Sequence, residues 1–199
     1  LLAENTGDVI TRVKMDGSSK YISPAIQQLL GWTFEEMTGQ STDYVHPEDG
    51  HLVLGAIGKA VTSGEPTRLE HRAMHKDGSV VWVECTFKAL KDENGHVDDV
   101  VVVIRDMTQR KALEAEAERF AAEIWPRFMR PDALATWEDW GRRGAHRVIV
   151  TASPETTVAP FARRLGAENL IGTRLAFDEQ NRVLGTFVGG NCRGEEKMH

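Results

Sequence analysis

Cysteine, whose thiolate binds metals and forms covalent bonds, is scarce in this sequence. Cys85 and Cys192 are its two cysteines, and their separation matches neither a disulfide framework nor a zinc site. No metal site is predicted, and a reducing, cytoplasmic location is the default expectation. His46 stands before Pro47 at the start of a helical pattern, where a structural capping role is favoured over catalysis.

A meander of three antiparallel strands is predicted from residue 67 to residue 104. The dipeptides Asp77-Gly78 and Asn94-Gly95 favour the left-handed backbone of tight hairpin turns, and each separates two strand-like runs. The middle strand alternates between two faces with the period of two that a half-buried strand requires. One of its faces carries Val81, Val83, Cys85 and Phe87.

The residues before this meander predict a hairpin of two short strands and then three helices. Added to the meander, the hairpin makes a five-stranded antiparallel sheet. Capping residues and glycines bound the helices, as in the capping box formed by Thr33 and Glu36. The predicted helices span residues 23–31, 33–39 and 46–63.

Several motifs resemble those of PAS sensory domains and occur in that family's order. They are S-P-A-I-Q-Q-L-L-G-W-T-F-E-E-M-T-G, V-H-P-E-D-G, K-D-G-S-V-V-W-V-E, D-E-N-G and V-I-R-D-M-T-Q-R-K, which together span roughly the first half of the chain. The resemblance implies a signal-sensing and protein-interaction module. A small-molecule ligand of unknown identity, or a partner, would act on a pocket between the sheet and the helices.

The resemblance offers two pocket candidates, Trp32 and His51. Haem-binding members of the family place their iron ligand in the helix that carries His51, although a surface or capping histidine is favoured here. For Trp32, packing in the core or on the sheet surface is the alternative to a position in the pocket. The flavin-binding members carry N-C-R-F-L-Q where this chain has Gly39-Gln40-Ser41-Thr42. No cofactor is therefore strongly implied.

A helix is predicted from Asp106 to about Trp125, with Asp106 and Thr108 offering capping oxygens. The resemblance implies that these two residues relay a signal from the sheet to the helix. Apolar residues follow at spacings of four, three and four, which is typical of a coiled-coil seam or of a helix docked on a neighbour. A homodimer through the PAS domain and this helix, and packing within the chain, both remain open. The apolar residues are Leu113, Ala117, Phe120 and Ile124.

Composition limits the classes of partner. The chain has 199 residues and a formal net charge of -6, which argues against a nucleic acid recognised by bulk basic charge. No apolar stretch approaches the ~20 residues that a membrane helix needs, and the start shows no signal-peptide pattern. Because the sequence opens at Leu1 rather than Met, we expect a piece of a longer protein.

The second half predicts a small α/β segment. A helix over residues 131–144 precedes a strand at 147–151, a helix at 154–165 and a strand at 169–172, an order that gives a parallel pair with a right-handed crossover. Strands at 174–177 and 182–187 add a hairpin. The fold class is α+β: a PAS-like sensor domain at 1–108, a linker helix at 109–125 and a partial, Rossmann-like segment at 126–199.

Motifs of this segment resemble the haloacid-dehalogenase superfamily, specifically its phosphoserine-phosphatase-like branch. They are V-I-V-T-A-S-P-E, F-A-R-R-L-G-A, I-G-T-R-L and N-C-R-G-E-E-K. The resemblance implies that Thr151, with Ser153 close by, binds a substrate phosphate, and that Lys197, or Arg193 in another register, neutralises its charge. An ordinary strand end followed by a helix cap is the favoured alternative for Thr151 and Ser153.

The nucleophile of that family is missing. It is the first Asp of an Asp-x-Asp-x-Thr motif, and Asp106, which follows a hydrophobic strand, lacks the second Asp. The acidic motif that helps to hold magnesium is absent too. A Mg-dependent phosphomonoester hydrolase is therefore the alternative function, expected to be inactive here. No histidine-kinase phosphoacceptor box or G-G-D-E-F signature is visible, so the output of the sensor remains undetermined.

Overall fold

The structure is a computed structural model that describes residues 7–37, 39, 41–178 and 181–189. The described residues divide into two compact units. Unit 1 comprises the described residues up to Gln109 together with Asn181, and unit 2 comprises Arg110 to Asp178 and the described residues from Arg182 onward. Within the described part of the chain, no helix is both long and apolar enough to cross a bilayer.

Unit 1 is built on the predicted five-stranded antiparallel sheet, in the order β2-β1-β5-β4-β3. The hairpin turns at Gly78 and Gly95 have φ values of 86° and 85°, which confirms the left-handed turns expected of Asp-Gly and Asn-Gly. Strand β1 pairs with β2 on one side and with β5 on the other, so the first and last strands of the unit are neighbours. The strands are β1 Val9–Lys14, β2 Ser19–Ile22, β3 Thr67–Met74, β4 Val80–Lys91 and β5 Val97–Asp106.

Two helices, α1 at Ala25–Leu30 and α2 at Gly50–Ser63, belong to unit 1, with a short 3-10 helix at Ser41–Tyr44 between them. The predicted helix over 33–39 is wrong: the described residues form a turn in which the N–H groups of Glu36 and Met37 donate to the Thr33 carbonyl. Nucleation of so short a helix is costly, and only the Glu36 half of the capping box is made.

An ion pair attaches the start of α2 to β3. The backbone N–H of Arg72 donates to the buried carboxylate of Asp49 at 2.8 Å, and its guanidinium donates twice, at 3.0 and 2.6 Å. These hydrogen bonds hold the pKa of Asp49 well below its usual range. They place α2 after residue 49, although the sequence predicted a helix from His46.

Unit 2 contains the predicted parallel pair, β6 with β7, joined by helix α5. The predicted division of residues 169–177 into two strands at Gly172 is wrong, because β7 is continuous. This glycine allows close approach, since a Cβ there would lie 2.9 Å from Glu155 Cγ. The elements are α3 Thr108–Phe128, whose first two residues belong to unit 1, α4 Pro131–Arg142, β6 Val148–Pro154, α5 Glu155–Leu165, β7 Asn169–Phe177 and β8 Val183–Val188.

Helix α3 packs against α5 over its second half. The rings of Phe120 and Phe161 meet edge to face at 6.2 Å, and Glu118 pairs with Arg163 of α5. The buried residues of α3 are Ala117 and Ala121, whereas Phe120 is 48% exposed. Packing within the chain therefore accounts for part of the predicted apolar seam, and self-association stays a prediction.

Candidate functional site

A cavity of about 270 Å³ lies in unit 1, between the sheet and helices α1 and α2. The strands present their alternating apolar face to it, while the helices close it with aliphatic side chains. Apolar walls of this kind favour a ligand that gains from leaving water. Residues from every side contribute, among them Ile26, Leu30, Val53, Ile57, Phe87 and Val102.

A hydrogen-bonded polar pair, His71 on β3 and Cys85 on β4, also lines the cavity. The imidazole Nε2 and the thiol Sγ are 3.2 Å apart, and Nδ1 is 3.1 Å from the Arg72 carbonyl. Because a carbonyl only accepts, Nδ1 carries the proton, Nε2 is an acceptor and the thiol donates to it. The pair is buried, at 4% and 3% exposure.

Burial keeps both members of this pair neutral. It lowers the pKa of His71, against the opposing influence of the Arg72 carbonyl and the Asp49 charge. It also raises the pKa of Cys85 to about 12, with a smaller contribution from Glu84. At neutral pH the cavity therefore presents an uncharged imidazole and an uncharged thiol, and the thiol is a poor nucleophile.

Because buried His71 is neutral in the folded chain, we expect the free energy of unfolding to depend on pH. Its folded-state pKa lies below the unfolded value near 6.5, so the unfolded chain takes up a proton first as the pH falls. The contribution of His71 is complete above about pH 6.5 and is lost progressively below it. Urea unfolding, followed at the amides of β4, should show a smaller difference between about pH 7.5 and pH 5.5 in His71→Gln than in the parent chain. Equal differences would contradict this assignment.

Neither pocket candidate from the sequence lines the cavity. The Trp32 indole donates to the Met74 carbonyl at 3.4 Å, and its ring meets Tyr44, a cavity residue, edge to face at 5.5 Å. His51 is exposed in the first turn of α2. His71 was not among the predicted pocket residues, although the hairpin at Asp77-Gly78 indicates its position. The register of that hairpin pairs His71 with Val83, which places it diagonally across from Cys85 on the same face.

The junction between the sheet and α3 is hydrogen-bonded on both sides of Met107. The Met107 N–H donates to the Trp82 carbonyl at 2.8 Å, and its side chain is 1% exposed. The Thr108 N–H donates to Asp106 Oδ1 at 2.7 Å. Asp106 is thus the capping acceptor, and Thr108 contributes its backbone at the first position of the helix.

The phosphate-binding candidates are only partly described. Thr151 and Ser153 lie in β6, where the Ser153 N–H donates to Thr151 Oγ1 at 3.0 Å, while Lys197 and Arg193 lie outside the described residues. Glu155 opens α5 immediately after them, and its carboxylate accepts the Gly172 N–H at 3.0 Å. The Glu155 carboxylate thus already lies near this strand end and occupies the Gly172 N–H, which is unfavourable for a second anion.

Comparison with known proteins identifies two families along the chain. A family model described as PAS fold matches residues 19–104, and one described as haloacid dehalogenase-like hydrolase matches residues 64–199, so the two matches overlap. The crystal structure of a PAS domain from Colwellia psychrerythraea superposes with a TM-score of 0.50 at 23% identity, covering 53% of this chain and 91% of that one. A sensory box histidine kinase/response regulator from Burkholderia thailandensis gives 0.51 at 24%, covering 62% and 93%.

Two curated proteins are similar to parts of this chain. Protein CicA of Caulobacter vibrioides is 52% identical over 86 residues, which is 43% of this chain and 39% of that protein. A blue-light-activated histidine kinase of Brucella ovis is 33% identical over 114 residues, or 56% and 22%. The chain thus spans well under half of either relative. The chain contains a PAS sensor domain, and the match over residues 64–199 shows that it belongs to the haloacid dehalogenase-like hydrolase family.

Proposed function

We propose that the PAS domain binds a small molecule in its cavity and relays that binding through Asp106, Met107 and Thr108 to helix α3. One observation carries the proposal: strand β4 belongs to both the cavity and the junction. The side chain of Val83 lines the cavity, and Val83 pairs with Asp106 across the sheet. A ligand that displaces β4 therefore acts directly on the residues that start α3.

The relay needs a ligand that binds one arrangement of β4 and the junction better than another. Trp82, which precedes Val83 on β4, supports such coupling, because its carbonyl accepts the Met107 N–H at 2.8 Å. The buried Met107 side chain limits independent movement of the junction. The name of the Brucella relative describes a blue-light-activated histidine kinase. For this chain we propose sensing alone.

Replacing Asp106 by alanine is expected to loosen the first turn of α3. The Thr108 N–H loses its acceptor, which removes about 1 kcal/mol of local stability and speeds exchange of that amide about fivefold. Asp98→Ala is the matched control, since Asp98 lies on the same strand with its side chain 64% exposed. Amide hydrogen exchange is measured by NMR in both variants, and unchanged exchange at Thr108 in Asp106→Ala would contradict the role of Asp106 in the relay.

The proposal includes the sensor at 1–108, the linker helix at 109–125 and the haloacid-dehalogenase-like segment at 126–199. The division of the structure after Gln109 supports the first boundary. A homodimer through the PAS domain and α3 is part of the proposal, supported by the partly exposed Leu113 and Phe120. A cytoplasmic location is also proposed, and the free thiol of Cys85 supports it.

Hydrolysis of a phosphomonoester is the alternative, supported by the family match over 64–199. Magnesium does not fit the described residues, which contain no cluster of three or more acidic, histidine or cysteine side chains able to hold it. We therefore expect the purified chain to give no hydrolysis of p-nitrophenyl phosphate above background with added Mg²⁺. Turnover that is lost in Thr151→Ala would contradict this expectation and establish the enzyme.

A further inference from the structure

The shape and polarity of the cavity restrict its ligand further. An apolar cavity of about 150 Å³ accommodates benzene, so 270 Å³ corresponds to a molecule of about 11 non-hydrogen atoms. The charged residues of the lining, Lys14 and Asp16, are exposed and lie at the turn between β1 and β2. The other described residues of the lining include no Asp, Glu, Lys or Arg, so the interior has no counter-ion for an ionised ligand.

Among the described residues of the lining, His71 supplies a buried acceptor lone pair that an interior ligand could use directly, while Thr11 contributes a buried hydroxyl group. Its Nδ1–H is committed to the Arg72 carbonyl, which leaves the lone pair of Nε2 facing Cys85. A thiol is a weak hydrogen-bond donor, so a hydroxyl group of a ligand competes effectively for the same lone pair. The displaced thiol loses little, because cysteine tolerates apolar surroundings.

Resting on the proposed function, we infer that the cavity selects an uncharged, largely apolar molecule of about 11 non-hydrogen atoms that carries one hydroxyl donor, which His71 Nε2 accepts in place of the Cys85 thiol. This is the chemistry of a phenol or of a medium-chain alcohol. An ionised acid of the same skeleton is excluded by the desolvation of its charge.

Calorimetric titration of the full chain tests this with 1-naphthol, with 1-methylnaphthalene, which has a methyl group of similar size in place of the hydroxyl, and with 1-naphthoate, which carries a larger, ionised carboxylate at that position. We expect 1-naphthol to bind about three- to tenfold more tightly than 1-methylnaphthalene, and 1-naphthoate at least about tenfold more weakly than 1-naphthol. The readout is the ratio of the two Kd values for the neutral probes, in which burial of the shared naphthalene rings cancels.

Two variants assign this ratio to the polar pair. Cys85→Ala removes the competing donor and should raise the ratio in favour of 1-naphthol, whereas His71→Phe should bring it to one or reverse it, because the buried hydroxyl then loses this acceptor. Should His71→Phe fail to fold, Cys85→Ala decides, since a ratio unchanged from the parent overturns the role of Nε2. Equal Kd values for the neutral probes in the parent chain, or 1-naphthoate binding as tightly as 1-naphthol, overturn the ligand class while leaving cavity sensing intact. Binding of none of the probes overturns the proposed function itself.

Discussion

Replacing Phe87 by alanine is expected to lower the free energy of unfolding of unit 1 by about 3–5 kcal/mol. Phe87 is 2% exposed, lies on β4 between its two neighbouring strands and forms part of the cavity wall. Truncation removes its apolar burial and joins a further void to an existing one, and the antiparallel sheet on both sides prevents collapse.

Phe34→Ala is the matched control, because Phe34 is 44% exposed and lies in the turn after α1. It should change the free energy of unfolding by less than about 1 kcal/mol. Urea unfolding followed at the amides of β4 compares the two variants. Similar losses in both would show that the wall of the cavity does not support the unit, contrary to the packing described.

Replacing Ala73 by leucine is expected to abolish binding of 1-naphthol, with a loss of at least about 30-fold in affinity. Ala73 is 4% exposed and lines the cavity from β3, so the larger side chain enters the space that the ligand needs. Because the space already exists, the free energy of unfolding should change by less than about 1.5 kcal/mol.

Ala60→Leu provides the opposite case. Ala60 is fully buried on α2 but does not line the cavity, so the same added volume meets packed atoms. We expect a loss of about 1–3 kcal/mol in the free energy of unfolding and little change in 1-naphthol affinity. Ala73→Leu that retains the parent affinity would place the ligand somewhere other than this cavity.

The sheet of unit 1 was predictable because its local signals agree with one another. Asp77-Gly78 and Asn94-Gly95 require left-handed turns, and both glycines have positive φ. The alternation along β4 also placed Val83, Cys85 and Phe87 on the inner face, where all three are buried. Such signals depend on neighbouring residues, which a sequence displays directly.

Features that depend on contacts distant in sequence were harder to predict. The start of α2 follows from three hydrogen bonds between Asp49 and Arg72, and the turn at residues 33–37 follows from a capping box that is half made. From the sequence, Gly172 was predicted to separate two strands. In the structure β7 continues through it, and the missing Cβ lets the strand approach Glu155 closely. The PAS resemblance implied a pocket between the sheet and the helices, but the residues that line it depend on how α1 and α2 lie over the sheet, and Trp32 and His51 are not among them.

Amide hydrogen exchange with and without saturating 1-naphthol tests the central claim most directly. The proposed relay predicts that exchange at Met107 and Thr108 changes at least about threefold on binding, together with the amides of β4, while amides of α5 remain unchanged. The same comparison in Asp106→Ala should show the change at β4 without the change at Thr108. Saturation of the cavity that alters β4 but leaves Met107 and Thr108 unchanged in the parent chain would contradict the relay.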